Sequence, residues 1–437
     1  SWYLNLIKLF ASERRQSLMS GILKNEMDMH RLIFFFAIFL FFFVKLFSQE
    51  TGTVLPQWKQ GEMEIHHVHT GRGEAVFCIF PDGTTMVIDA GDSGPHSDPR
   101  TTPGFPDDSR QPGEWIARYI SKRLDFRNEV KLDYFLLTHF HGDHLGGVYT
   151  NSVKTKKGGD YFLSGVTELY EHVPFSKIVD RGWPTYSYPS RLKGKAIENY
   201  LKFIEWHHGK SGTVIEGFVP GSKSQFALLK EPERYPDFEV RNIIANGIIW
   251  TGEGENTRNL FPLDLKNVHE NKLCAGVRIS YGAFDYFNGG DINGRLPINL
   301  EKWLDVETPV GEVLGAVEVC EANHHSWIDA MSESFLQHIQ PQNIIIQVSH
   351  VSHLNLSVLQ SMANKSINPN LKHIIPTNIP ELSRAYLGED QVRKMSGEGG
   401  HVVIKVDPGG DTYSIILLDS NNESMRIKSA YGPFQCR

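Results

Sequence analysis

The sequence predicts an α/β protein built of interleaved strands and helices in packed layers, and three observations carry that prediction. Short strand-like runs joined by turn residues begin near Gly61: Glu62 to Thr70, Glu74 to Phe80, the turn Pro81-Asp82-Gly83, and Thr85 to Asp89, a meander. Helical periodicity interrupts the strands, first at Trp115 to Leu124 and again where Ile197, Tyr200, Leu201 and Ile204 share one face. A second strand series from Leu273 echoes the first, which predicts two similar halves facing each other.

Residues 1–49 are set aside from the fold. Leu32 to Val44 is an unbroken, Phe-rich apolar run after His30-Arg31 and before Ser48-Gln49-Glu50. A bilayer crossing needs about 20 residues, so the run suits the core of a signal peptide starting at Met27 or Met29. The expectation is an exported protein, periplasmic or extracellular, touching a membrane only through an uncleaved signal segment. Residues 50–437 are read as one domain. At 40% apolar and 22% charged residues the 437-residue chain is ordinary globular material. Its net charge is −7, and the basic leader leaves the domain more acidic still, which argues against charge-driven nucleic-acid binding. Cys78, Cys274, Cys320 and Cys436 show no C-x-x-C spacing, and the first three, in apolar runs, are expected as buried thiols.

Following the chain, the apolar run Leu132 to Leu137 leads directly into Thr138-His139. Residues 150–270 read as a long insertion between the halves, with a helix begun by Ser190 and stopped near Gly209. The second half opens with a strand from Leu273 to Tyr281, a turn at Gly282, and a strand ending in Asn288-Gly289-Gly290-Asp291. A helix carrying Met331, Phe335 and Ile339 then leads to a strand, Ile344 to Val348, and Asn355 opens another helix. The end, about 400–430, is strand-rich, with turns at Pro408-Gly409-Gly410 and Asn421-Asn422.

The chemistry concentrates in Thr138-His139-Phe140-His141-Gly142-Asp143-His144. Imidazole and carboxylate are the ligands that zinc and its neighbours prefer. His139 and His141 are two apart at a strand end, so both rings can grip one ion. Gly142 is expected to turn the backbone sharply and swing Asp143 and His144 toward a second ion. Two adjacent ions need a bridging acid, and Asp291, at a strand end in the second half, is placed to supply it. Further ligands must come from His324 or His325 and from His350 or His353, each pair lying where an apolar run ends. His66, His67 and His69 read as structural. Asp89 is expected to brace the metal loop by accepting hydrogen bonds rather than to bind metal.

These residues resemble the metallo-β-lactamase superfamily. His139-x-His141-x-Asp143-His144 matches its motif, with Asp89-Ala90-Gly91 before and Asp291 after. The subgroup resembled is the ComEC type, named for the hydrolase domain of DNA-uptake competence proteins. There the match includes Val68-His69-Thr70-Gly71-Arg72-Gly73-Glu74-Ala75, Pro81-Asp82-Gly83, Gly289-Gly290-Asp291 and Asn323-His324-His325-Ser326, over about Gly61 to Met362 with 150–270 unmatched. The resemblance implies a four-layer αββα sandwich with the metals at one edge of the paired sheets. It also implies a lone histidine ligand between the first motif and Asp291. His172, His207 and His208 are candidates for it, and His324 is a substitute, with His353 or His350 as the last ligand.

The function expected is a binuclear metal-dependent hydrolase using a metal-bridging hydroxide. The metal set is His139, His141, Asp143, His144, Asp291, His324 and His353, and Asp143 and His325 are candidates for moving protons. The cofactors are two divalent ions, zinc first, with manganese or iron as alternatives. The resemblance favours a phosphodiester, small or polymeric. A lactam, lactone or thioester hydrolase is the alternative, and a non-catalytic surface-binding module the third reading. Arg181, Trp183 and Trp327 are candidates to line the pocket.

Overall fold

The computed structural model describes residues 51–94, 100–294 and 301–437, and the apolar run of the expected signal peptide lies outside them. Among the described residues, no helix is long and apolar enough to cross a membrane. Residues 51–437 form one compact unit, mixed α/β with two large mixed sheets.

The first sheet begins as the meander expected from sequence: β1 (Met63–His67), β2 (Val76–Ile79) and β3 (Thr85–Ile88) pair antiparallel. It then turns parallel through β4 (Leu132–Leu137), β5 (Phe175–Asp180) and β6 (Val214–Gly217). The second sheet holds β7 (Phe238–Ala245), β8 (Ile248–Trp250), β9 (Thr257–Asn259), β10 (Gly276–Tyr281), β11 (Phe284–Asn288), β12 (Val319–Glu321), β13 (Asn343–Ile346) and β14 (His373–Pro376). Its strand order is 14-13-12-11-10-7-8-9. The chain end returns to the first sheet, where β15 (His401–Val406) pairs with β1, and β16 (Thr412–Leu418) and β17 (Ile427–Gln435) extend the edge. Residues 150–270, expected as an insertion, therefore supply strands to both sheets.

Period-two alternation sorts the strands' side chains. Met63 and Ile65 of β1 join Val76, Cys78, Val277, Ile279, Tyr286 and Ile345 in a core between the sheets. Glu64 and His66 face the other way, onto helix α1 (Pro112–Arg123), whose Arg123 and Tyr119 hydrogen-bond to them. A second core packs Ile116 and Ile120 of α1, with Tyr200 and Phe203, onto that face. A third sets Val310, Phe335, Leu336 and Val358 against the second sheet. Pro112 starts α1 where its missing amide hydrogen costs nothing, and Lys122 and Arg123 in the last turn suit the helix dipole. The Ser190 start expected for the next long helix moves to Lys195, and it ends at Lys210. All four cysteines are free and buried.

Candidate metal centre

Strand β4 delivers Thr138 and His139 to its end, His141 caps a single-turn helix α2 (Gly142–Leu145), and Asp143 and His144 ride on that turn. Gly142, expected to turn the backbone sharply, opens α2 directly after the extended His141, and Gly146, at φ 101°, turns the chain out. Close approach matters more at Gly91, where a Cβ would sit 1.8 Å from the Asp143 carbonyl oxygen, so the Asp89-Ala90-Gly91 turn can pack under the metal loop.

Asp89 braces that loop. Its Oδ1 accepts the Thr138 amide at 2.8 Å, and its Oδ2 accepts the Thr138 hydroxyl at 2.6 Å and the His144 Nδ1 hydrogen at 2.8 Å.

Asp291 stands at the centre, 1% exposed, and its two oxygens face two separate sets of groups. Oδ2 lies 3.4 Å from His139 Nε2 and 3.8 Å from His324 Nε2, while His141 Nδ1 is 3.1 Å from His139 Nε2. Oδ1 lies 3.1 Å from His144 Nε2 and 3.5 Å from His325 Nε2, with Asp143 Oδ2 3.5 Å from the same His325 atom. Three ligand groupings result: Glu74, His144, Asp291 and His325; His139, His141 and Asp291; Asp143, His325 and His353.

The proton positions decide whether these groupings suit an ion. His144 Nδ1 donates to Asp89, and His325 Nδ1 lies 3.1 Å from the Gln347 carbonyl, which can only accept. In the neutral rings both Nε2 atoms are then bare lone pairs, and they face each other at 3.2 Å. The His139 grouping repeats the arrangement: the Thr138 hydroxyl gives its proton to Asp89, so it accepts from His139 Nδ1 and leaves Nε2 bare toward Asp291. Lone pairs facing at that distance repel unless a proton or a metal ion sits between them. Two ligands at 2.0–2.1 Å from a tetrahedral ion stand about 3.4 Å apart. Among the described residues, Asp291 Oδ1 has no hydrogen-bond partner, as a metal-facing oxygen would not. The residues present therefore fit divalent ions.

The electrostatics carry the same strain. Burial opposes charge on His144, but Asp291, Glu74 and Asp89 outweigh it and hold its pKa well above the usual value. His325 and His324 are also raised against burial, chiefly by Asp291. Burial and the neighbouring His144 push His139 down to about 3. The surrounding histidines hold Asp291 well below the carboxylate range despite burial. Without metal, the centre must take up protons to satisfy its acids.

His324, His325 and Ser326 all have left-handed backbone, φ 45°, 51° and 61°, a conformation that costs non-glycine residues free energy and collects at functional sites. This turn sets two adjacent histidines on the two sides of Asp291. Asp329 Oδ1 accepts from His324 Nδ1 at 2.6 Å, aiming Nε2 inward, where the Asn271 amide reaches it at 3.0 Å.

His325, expected to move protons, lies in two of these groupings. His353, expected as a ligand, groups with Asp143 and His325; it stacks on His325 with ring centres 4.3 Å apart, and its Nδ1 receives the Ser349 amide at 3.3 Å, which leaves the ring proton on Nε2 in this structure. His350 lies at the cleft wall. The candidates for a lone upstream ligand go elsewhere: His207 bonds Tyr161, His208 packs on Trp183, and His172 sits beside Glu168. His66, His67 and His69 are buried in polar networks of their own, with Glu64, Glu321 and Ser420.

Sequence reasoning missed Glu74, which lies 3.9 Å from His144 Nδ1 and 3.8 Å from His325 Nδ1, behind both rings. Burial and the charge of Glu321 raise its pKa well above the ordinary value. It also missed His269, whose ring centre is 5.5 Å from that of His141. The one sequence signal for Glu74 was the Gly71-Arg72-Gly73-Glu74 run.

The centre opens into a cleft of about 420 Å³, walled by Arg100, Tyr149, Trp327 and His350. Arg181, expected at the pocket, instead pairs with Glu270, which accepts the Phe140 amide and so steadies the metal loop from behind. Trp183 packs with Tyr186 away from the cleft. A scan against protein-family models finds no match to the chain, and a search of curated proteins finds none either.

Proposed function

We propose that the chain is a binuclear metal-dependent hydrolase of the metallo-β-lactamase superfamily, ComEC type, acting on phosphodiesters. The observation that carries this reading is the division of Asp291 between two sets of bare ligand atoms. On this reading the two sheets and their helices are the αββα sandwich of that superfamily, and the protein is exported. When bound, a pair of divalent ions, zinc by ligand chemistry, supplies a hydroxide nucleophile at neutral pH and stabilises charge on the substrate oxygens.

We assign His139, His141 and His324 to one ion and Asp143, His144 and His325 to the other, with Asp291 between them. Asp89 and Gln347 keep protons on the outer ring nitrogens of His144 and His325 so that the inner ones stay bare, and Asp329 does the same for His324, whose inner nitrogen the Asn271 amide also reaches. His353, with its proton on Nε2, is a donor toward the leaving oxygen. Arg100 at the rim suits an anionic substrate, and Trp327, stacked against His324 at a ring-centre distance of 5.8 Å, gives the cleft a flat apolar wall.

The test is hydrolysis of a chromogenic bis-phosphodiester and a chromogenic β-lactam by the full chain before and after chelation. Chelator-sensitive phosphodiester cleavage restored by zinc or manganese is the expected result. Lactam turnover alone would move the reading to carbonyl substrates, and no turnover by folded, metal-loaded protein on either would leave a binding module.

A further inference from the structure

A second group of metal-binding side chains lies outside this centre, on the outer helices. In helix α3 (Val166–His172), Glu168 and His172 are four residues apart and so share one face. Glu114, in the first turn of α1, faces them, and ligand atoms of all three lie within 4.8 Å of one another. The approach of the two helices depends on Gly113: a Cβ there would fall 2.7 Å from that of Glu168.

Glu168 is the informative member. It is 6% exposed, and its buried Oε2 has no hydrogen-bond partner among the described residues. Burial, then the charges of Asp92 and Glu114, push its pKa up to about 8, against a smaller opposite pull from the amides of Gly113 and Glu114. A buried carboxylate beside a second carboxylate and an imidazole lacks a cation. Of the nearby basic groups, Arg118 and Lys122 both bind Glu423, and Arg110 pairs with the outer carboxylate, Glu114, leaving Glu168 without a basic partner among the described residues. The face opens to solvent through a cleft of about 470 Å³ that includes Glu114 and His172, giving an ion a way in.

We propose that Glu114, Glu168 and His172 form a separate site for one divalent transition-metal ion, with zinc the best match to one imidazole and two carboxylates. A bound ion would tie α1 to α3 and neutralise the Glu168 charge where the helices meet. The site is independent of the function proposed for the main centre.

The test is a zinc titration of the full chain against a competing chelator, with wild type compared to His172→Ala and Glu168→Gln. Wild type is expected to show a weakest class of one zinc per chain. Both variants should lose that class, with affinity falling at least about tenfold, while the tighter classes stay unchanged however many ions the main centre holds. His172 is exposed, so its replacement leaves the fold intact and keeps the comparison valid even where Glu168→Gln disturbs packing. Titrations of both folded variants that superimpose on wild type, or a wild type lacking this class, would overturn the proposal.

Discussion

Asp291→Asn is expected to lower phosphodiester turnover by at least about 10³-fold, the scale of losing a preorganised charge contact in a dry site. It is also expected to reduce zinc content below that of the wild type. The replacement side chain fills the same volume, so packing is kept at this buried position, but neither of its terminal atoms carries the negative charge that both ligand sets share. Its amide nitrogen would also point hydrogens at one of the two sets, toward the lone pair of either His139 or His144, which lie 3.4 and 3.1 Å from the two native carboxylate oxygens. The reading separates cleanly from a folding defect. Circular dichroism should match wild type, while the urea midpoint of the ion-free variant should fall, because the histidines that hold Asp291 ionised lose their partner; turnover and zinc content are therefore compared on the folded variant. Wild-type turnover and zinc content in Asp291→Asn would refute the shared-carboxylate geometry.

Arg123→Ala is expected to destabilise the fold by about 3–5 kcal/mol, the cost of leaving a buried partner charge unpaired. Arg123 is 2% exposed and Glu64 fully buried. The guanidinium donates to both Glu64 oxygens, at 2.8 and 2.6 Å, and to the Pro56 carbonyl at 2.8 Å. This pair joins β1 to α1 under the first sheet, far along the chain from the metal loop. Replacing both partners, as Glu64→Leu with Arg123→Met, should recover most of the loss, since neither charge is then stranded. A pH signature accompanies it. Burial would raise the Glu64 carboxyl, but its hydrogen bond with His66 and the Arg123 charge hold it down to about 2, against an ordinary value of 4.5. A depressed carboxylate stabilises the fold fully above its unfolded value and loses that contribution as pH falls through the folded one. Wild type should therefore lose this stability between about pH 4.5 and 2, and the double variant should lack that component. Equal urea midpoints for wild type and Arg123→Ala would contradict the account.

Much of the candidate centre was legible because its first candidate ligands are local. His139, His141, Asp143 and His144 fall within six residues at a strand end, and the bracing role of Asp89 follows from its place at the end of the neighbouring strand. Asp291 was legible from the Gly289-Gly290 turn that ends β11. What the sequence could not tell is which later histidines face inward, because tertiary contacts decide it. The Gln347 carbonyl puts the proton on Nδ1 of His325, whereas the Ser349 amide puts it on Nε2 of His353, and neither partner announces itself in the sequence. Glu74 was missed for a related reason: it matters only because the start of β2 lies beneath both the metal loop and the His324-His325 turn. The fold shows the same limit. The meander and the β4-to-loop junction are short-range and were readable. Within 150–270, β5, β6 and β7 pair with strands distant in sequence, and β6, β8 and β9, at three or four residues each, carry too little alternation to declare themselves.

The most direct measurement is anomalous diffraction at the zinc edge from crystals of the full chain grown with zinc. The account predicts two peaks about 3.5–4 Å apart, one on each side of Asp291, the first within reach of His139 and His141 and the second within reach of His144 and His325. A single peak bound by only one of these sets, or none in zinc-saturated crystals, would contradict it.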